Sequence, residues 1–232
     1  MALTPSTRGK VSPFIVMDVM QDAADLEKRG KEVVHLEVGQ PSTGIPKSTL
    51  KHLKKIMDRD ALGYTVATGI PELRRRLSQY YTERYGADVP SDRIFITTGS
   101  SAGFQLAFLS AFDAGQRVAL ASPGYPAYRH MLSSLGIEPV LLNTTLETRY
   151  QPSAELLSAL AKPVDGLILA SPSNPTGTII PNDDFVTLVN YCRENEIRLI
   201  SDEIYHGITY GTPVSTAAAF GGPDIVINSF SK

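Results

Sequence analysis

Between Ile94 and Ile227 the chain alternates short apolar runs with longer stretches of mixed polarity. Runs of strand length occur at Ile94–Thr98, Val118–Ala121, Pro139–Leu142, Leu167–Ala170, Arg198–Ile200 and Ile225–Ile227. The intervals of about 101–113, 124–135, 152–161 and 181–195 read as helices. The interval 203–223 holds several Gly and Pro and predicts no clear element. Strands separated by helices need crossover connections. The expected fold is therefore a three-layer α/β/α arrangement, with a mostly parallel sheet covered on both faces.

The first third of the chain is patterned differently. Ser12-Pro13 reads as an N-cap followed by proline at the first helical position. Apolar residues then recur at helical spacing at Val16, Val19, Met20 and Ala23, and Gly30 is a natural stop. Val33 to Val38 reads as a short strand ended by Gly39-Gln40-Pro41. A helix is expected over Lys47 to Arg59, a loop around Tyr64, and a helix from Pro71 toward Tyr85. The expected organisation is an N-terminal arm and part of a small domain over 1–45, and a large domain over 46–232.

At 232 residues the chain can bury a substantial core. Its net charge of -2 gives no electrostatic case for nucleic acid or an anionic membrane. The four His are scattered without metal-ligand spacing, and the single Cys192 excludes an internal disulfide framework. No apolar run reaches transmembrane length, and the first residues lack a signal-peptide core. No metal is expected, and cytoplasm is the expected location.

Parallel α/β sheets place ligands beyond the carboxyl ends of their strands. Five of the six predicted strands end in chemically pointed residues, all but the strand near 140. These are Gly99-Ser100-Ser101, then Ser122-Pro123-Gly124-Tyr125, then Ser171 to Gly177 around Asn174, then Ser201-Asp202-Glu203-Ile204-Tyr205, and finally Asn228 to Lys232. Taken singly, each has an ordinary reading. Ser100 and Ser101 are either a helix cap or an anion site. Asp202 is either a cap or the partner of a buried cation. Tyr125 is a core aromatic or a shelf for a planar ligand, and Asn174 between two prolines is turn chemistry or a donor.

Taken together they match one cofactor. Pyridoxal phosphate needs a lysine for its aldehyde, a carboxylate for its pyridinium nitrogen and an anion site for its phosphate. It also needs a flat partner for the ring and donors for the phenolic oxygen. Lys232, Asp202, Ser100 with Ser101, Tyr125, and Asn174 with Tyr205 supply these types. Once displaced by substrate, the Lys232 amine is a candidate general base and acid.

With those residues in place, the chain resembles the class I/II aminotransferases, the fold-type I pyridoxal-phosphate enzymes. The resemblance rests on LEVGQP (36–41), GYTVATGIPELR (63–74), TTGSSAGFQLAF (97–108), ASPGYPAYR (121–129), SPSNPTGT (171–178), SDEIYHGITY (201–210) and SFSK (229–232). It implies that Lys232 forms the Schiff base, Asp202 pairs with the pyridine nitrogen, and Tyr205 and Asn174 bond the phenolic oxygen. It further implies that Tyr125 stacks on the ring, that Ser100, Ser101 and Ser229 hold the phosphate, and that Gly39 and Asn174 border the substrate. Tyr64 would reach the phosphate in a neighbouring subunit, which implies a homodimer with shared sites. Glu203, His206 and Ser231 are expected to be structural.

The resemblance also implies an activity: transfer of an amino group between an amino acid of aspartate, alanine or aromatic type and a 2-oxo acid. Other chemistry on the same cofactor, such as a C–S lyase, decarboxylase or cyclopropane-forming reaction, uses the same residues, and an inactive fragment is a further alternative. A regulatory effector domain would follow a basic helix-turn-helix, and residues 1–30 offer one helix and no basic cluster. Family members continue past the lysine, with an arginine for the cofactor phosphate and another that clamps the substrate carboxylate. Both arginines are therefore expected beyond Lys232.

Overall fold

The computed structural model describes residues 3–39 and 43–232. The helices are α1 (Ile15–Lys28), α2 (Lys47–Met57), α3 (Pro71–Tyr85), α4 (Ser100–Ala111), α5 (Pro126–Ser134), α6 (Ala154–Ser158) and α7 (Asn182–Glu194). The strands are β1 (Arg117–Ser122), β2 (Glu138–Asn143), β3 (Gly166–Ala170), β4 (Arg198–Asp202) and β5 (Ile225–Ile227). They form one sheet in the order β2-β1-β3-β4-β5 with every neighbouring pair parallel. Strand order reverses between β1 and β3, the switch point where open α/β sheets leave a crevice.

The pleat sorts the core into two layers. Val118, Leu120, Ile168 and Ile200 face one side and pack with Phe104 and Phe108 of α4 and Leu132 of α5. Ala119, Leu167, Leu169 and Leu199 face the other and pack with Phe185, Leu188 and Val189 of α7. Successive strand residues point to opposite faces, so a strand that is apolar throughout must be covered twice. Each fully buried Leu, Ile or Phe contributes about 1.5–3 kcal/mol through burial. The three-layer α/β/α expectation holds.

Two predicted strands are not strands. Val33–Val38 has no ladder partner among the described residues; Val34 is 80% and Leu36 90% exposed. Its Gln40-Pro41 terminator lies outside the described residues. Ile94–Thr98 is not in the sheet either. Its backbone is spoken for elsewhere: Ile96 N–H donates to the Thr68 carbonyl at 3.1 Å, and Arg74 Nε donates to the Ile94 carbonyl at 2.8 Å. The first helix also starts later than expected. Its N-cap is Phe14 with no side-chain cap, not Ser12, and of its apolar stripe only Ala23 is buried, with Val19 and Met20 exposed. Among the described residues no helix is long and apolar enough to cross a membrane.

Candidate functional site

The site is built from four strand ends and one loop, since Ile94–Thr98 feeds α4 without joining the sheet. After β1 the chain turns sharply through Gly124, where a Cβ would stand 2.4 Å from the Ala121 carbonyl oxygen. Only glycine fits that approach. The turn delivers Tyr125 as the N-cap of α5, with Pro126 at the first helical position. Residues three apart on a helix share a face, so Tyr128 lies beside Tyr125, ring centroids 5.2 Å apart and nearly perpendicular. The Phe14 ring also meets Tyr125 edge-on, at 6.0 Å.

After β3, the 171–178 loop closes on itself through Ser173 N–H to the Thr178 carbonyl at 2.9 Å and Gly177 N–H to the Ser173 carbonyl at 2.7 Å. The buried Gln151 ties it down, donating through Nε2 to the Thr178 carbonyl at 2.9 Å. Thus fixed, Asn174 Nδ2 faces the Tyr205 hydroxyl at 3.4 Å.

Asp202 is the last residue of β4 and is 5% exposed. Its Oδ1 accepts the Ile204 N–H at 3.1 Å and its Oδ2 accepts the Tyr128 hydroxyl. Burial pushes its carboxyl up to about 6, and the hydrogen bonds from Tyr128 and Ile204 oppose that rise. The phenols of Tyr125 and Tyr205 are raised too, first by burial and then by the nearby charges. The Asp202 charge contributes to both.

Beyond β5, Asn228 Oδ1 accepts the Ser229 N–H at 2.7 Å, and Ser229 Oγ accepts the Ser231 N–H at 3.1 Å. This turn brings Lys232 to the arm, where its Nζ donates to the Gly39 carbonyl at 2.8 Å. Thus Lys232 meets Gly39, Asn174 meets Tyr205, and Tyr128 links Asp202 to the Tyr125 ring. Ser100 and Ser101 open α4. Its N-cap is Gly99, at φ 93° and with no side-chain cap, so neither serine acts as the cap. The first-turn N–H groups of α4 are left without a capping side chain, and their dipole favours an anion there. Tyr64 projects fully into solvent.

Tyr128 was not singled out from the sequence, although it lies within ASPGYPAYR. Its signal was the spacing of three from Tyr125 on a short helix. Its partner Asp202 is 74 residues away, which no local pattern reveals.

Residues 31–232 match the family described as aminotransferase class I and II. The chain is 46% identical to the valine–pyruvate aminotransferase of Mycobacterium tuberculosis, over 97% of this chain and 58% of that protein. It is 37% identical to the (5-formylfuran-3-yl)methyl phosphate transaminase of Methanocaldococcus jannaschii, over 94% of this chain and 57% of that one. Among solved structures, an aminotransferase from Mycobacterium tuberculosis superposes with a TM-score of 0.94 at 45% identity, covering 100% of this chain and 60% of the other. Aspartate aminotransferase from Thermus thermophilus with maleate also gives 0.94, at 25% identity, covering 100% and 61%. The chain thus spans a little under two thirds of the length of these relatives, and it belongs to the class I and II aminotransferase family.

Proposed function

We propose that the protein is a pyridoxal-phosphate-dependent aminotransferase that moves an amino group between an amino acid and a 2-oxo acid. The observation that carries the reading is Asp202. It is a buried carboxylate at a strand end, held on both oxygens by the Tyr128 hydroxyl and the Ile204 N–H, and its charge acts on the phenols of Tyr125 and Tyr205, the second of which meets Asn174. A structural carboxylate would not need phenols on both sides and an amine-bearing turn on the adjoining strand.

The residues present fit the cofactor by their donor chemistry. When bound, pyridoxal phosphate supplies an aldehyde that condenses with amines and an electron-poor ring that weakens the bonds at the attached α-carbon. Asp202 would hold a proton on the ring nitrogen through its carboxylate, and that cation would in turn favour the ionised acid against burial. Asn174 Nδ2 and the Tyr205 hydroxyl would donate to the phenolic oxygen. Tyr125 would give the ring a flat wall. The start of α4, with Ser100, Ser101 and Ser229, would bind phosphate. Lys232 Nζ would take the α-proton of the substrate and return it on the other side of the transfer. Gly39, whose carbonyl meets that amine, would border the substrate.

The likeness to relatives named for valine with pyruvate and for aspartate supports an amino donor with a small aliphatic or acidic side chain. Residues 1–45 would act as an arm at the site mouth, with 46–232 as the cofactor-binding domain. The exposed Tyr64 supports a homodimer in which it reaches the partner's phosphate site. Transfer is tested with purified protein supplied with pyridoxal phosphate, a panel of valine, alanine, aspartate and aromatic donors, and a panel of 2-oxo acids. Stoichiometric exchange of amino group for oxo group is expected. Release of ammonia or pyruvate without exchange would overturn it.

A further inference from the structure

The loops that carry Asn174 and Tyr205 are joined at their bases by one buried imidazole. His206 follows Tyr205 directly, and its side chain is 1% exposed. Its Nε2 lies 3.0 Å from the carbonyl of Ser171, the first residue after β3. A carbonyl only accepts, so Nε2 carries a hydrogen and donates it there. At the other side of the ring, Nδ1 meets the Tyr85 hydroxyl at 2.9 Å. Glu203 Oε2 stands farther from Nδ1, at 3.5 Å, and the other oxygen of that acid accepts the Ser201 hydroxyl at 3.0 Å and the Ala217 N–H at 2.8 Å.

Tyr85 is the last residue of α3, and its ring lies 5.7 Å from the imidazole, centroid to centroid. His206 is therefore a strut that runs from α3, through the segment after β4, to the start of the loop after β3. Ser171 is held at a second point, because its own N–H donates to the Asp202 carbonyl at 3.2 Å. One hydrogen bond is a pivot about which a loop can swing. Two bonds, reaching Ser171 from Asp202 and from His206 four residues on, remove that rotation. Ser171 Oγ accepts the Ile180 N–H at 3.1 Å and so closes the far end of the same loop. Asn174 lies three residues beyond Ser171, and Tyr205 is the residue before His206, so the strut acts on both members of the 3.4 Å Asn174–Tyr205 pair.

We propose that His206 is a positioning residue that sets the spacing of Asn174 and Tyr205 by pinning Ser171 to the segment after β4. Its use in the reaction rests on the proposed cofactor reading, in which Asn174 and Tyr205 both donate to one phenolic oxygen. Two donors converge on one atom only where the groups that carry them are held fixed relative to each other. The spacing itself does not depend on that reading.

The test compares His206→Gln with His206→Asn. Glutamine extends its amide as far as Nε2 and can still donate to the Ser171 carbonyl. Asparagine reaches only as far as Nδ1 and can keep Tyr85 alone. In the cofactor-free proteins, nitrogen NMR of the Asn174 side-chain amide is expected to give the parent resonance in the glutamine variant and a displaced one in the asparagine variant. With pyridoxal phosphate bound, donors to the phenolic oxygen favour its negative form. The pH midpoint of the bound cofactor's visible absorbance is therefore expected to rise by about one pH unit in His206→Asn and by less than about 0.3 in His206→Gln. A merely structural His206 would lower the urea midpoint of both variants and leave the resonance and the absorbance midpoint in place; that result, or equal displacement in the two variants, overturns the proposal. In the parent, the His206 Nε2–H is expected to exchange slowly with solvent, and rapid exchange would sink the strut whether or not either variant folds. If no protein of the set binds pyridoxal phosphate while the Asn174 resonance follows the expected pattern, the cofactor reading fails and the strut stands.

Discussion

Tyr128 donates its hydroxyl to Asp202 Oδ2 from α5, across the switch point of the sheet. The phenol is buried, and its pKa is raised well above the ordinary range by burial and by the Asp202 charge. It therefore stays a donor at any working pH. The effect is to hold the carboxylate in one orientation and to offset part of its desolvation.

Removing that hydroxyl has a defined consequence. Tyr128→Phe leaves Asp202 with the Ile204 N–H alone, so the carboxyl is expected to rise further above 6. A buried acceptor that loses its partner costs about 1–3 kcal/mol. The variant should unfold at lower urea and bind pyridoxal phosphate roughly tenfold more weakly. Cofactor titration followed by absorbance, run alongside urea denaturation, measures both. Unchanged affinity with lowered stability would make Tyr128 purely a packing residue.

Asp202 itself should separate stability from function. Its folded-state pKa is raised from 3.8 to about 6, so the folded chain binds that proton more tightly than the unfolded chain. Stability from this group is fully present below about 4 and is lost as pH rises through 6. Two pKa units correspond to about 3 kcal/mol at most. Cofactor-free Asp202→Asn should match the parent at pH 4 and exceed it at pH 7.5. Cofactor binding at pH 7.5 should fall sharply, because the ring nitrogen loses its counter-charge. Urea midpoints at the two pH values, with a cofactor titration at the higher one, check both halves.

Lys232 gives the most direct chemical readout. Treatment of the cofactor-loaded protein with borohydride should fix the cofactor irreversibly to this residue, detectable by peptide mass. Lys232→Ala is expected to lose both the fixation and amino transfer, by at least about 10³-fold in rate for a lost general base and nucleophile. Cofactor bound through its phosphate should persist. Retained turnover in that variant would remove Lys232 from the reaction.

The parallel core was legible because its signal is local. Strands β1, β3, β4 and β5 are apolar runs bounded by Gly, Ser and Asp, and α3 starts at Pro71 and ends before the left-handed Gly86. Val33–Val38 and Ile94–Thr98 carry the same local signal and form no ladder among the described residues. A strand exists only where a second backbone meets it, and here Thr68 and Arg74 take the donors and acceptors of the 94–96 stretch. The site shows the same divide. Lys232, Asp202, Asn174 and Tyr205 stand out because each lies at or just beyond the end of a strand. Tyr128 and the Glu203–His206 pair act through partners far away in sequence, such as Asp202, Tyr85 and Ser171.

The turn through Gly124 tests whether Tyr125 depends on backbone placement. A Cβ at this position would lie 2.4 Å from the Ala121 carbonyl oxygen, nearer than any real contact allows, and the obstacle is backbone that cannot rotate away. Gly124→Ala must therefore displace either the end of β1 or the start of α5. Both carry the site: β1 pairs with β3, whose loop holds Asn174, and α5 holds Tyr125 and Tyr128. Strain of this kind costs about 1–3 kcal/mol. The variant should stay folded, lose stability in that range, and bind pyridoxal phosphate more weakly than Tyr125→Ala, which removes the ring but leaves Tyr128 on Asp202. Affinity equal to the parent in Gly124→Ala would show that the turn can shift without moving the two tyrosines.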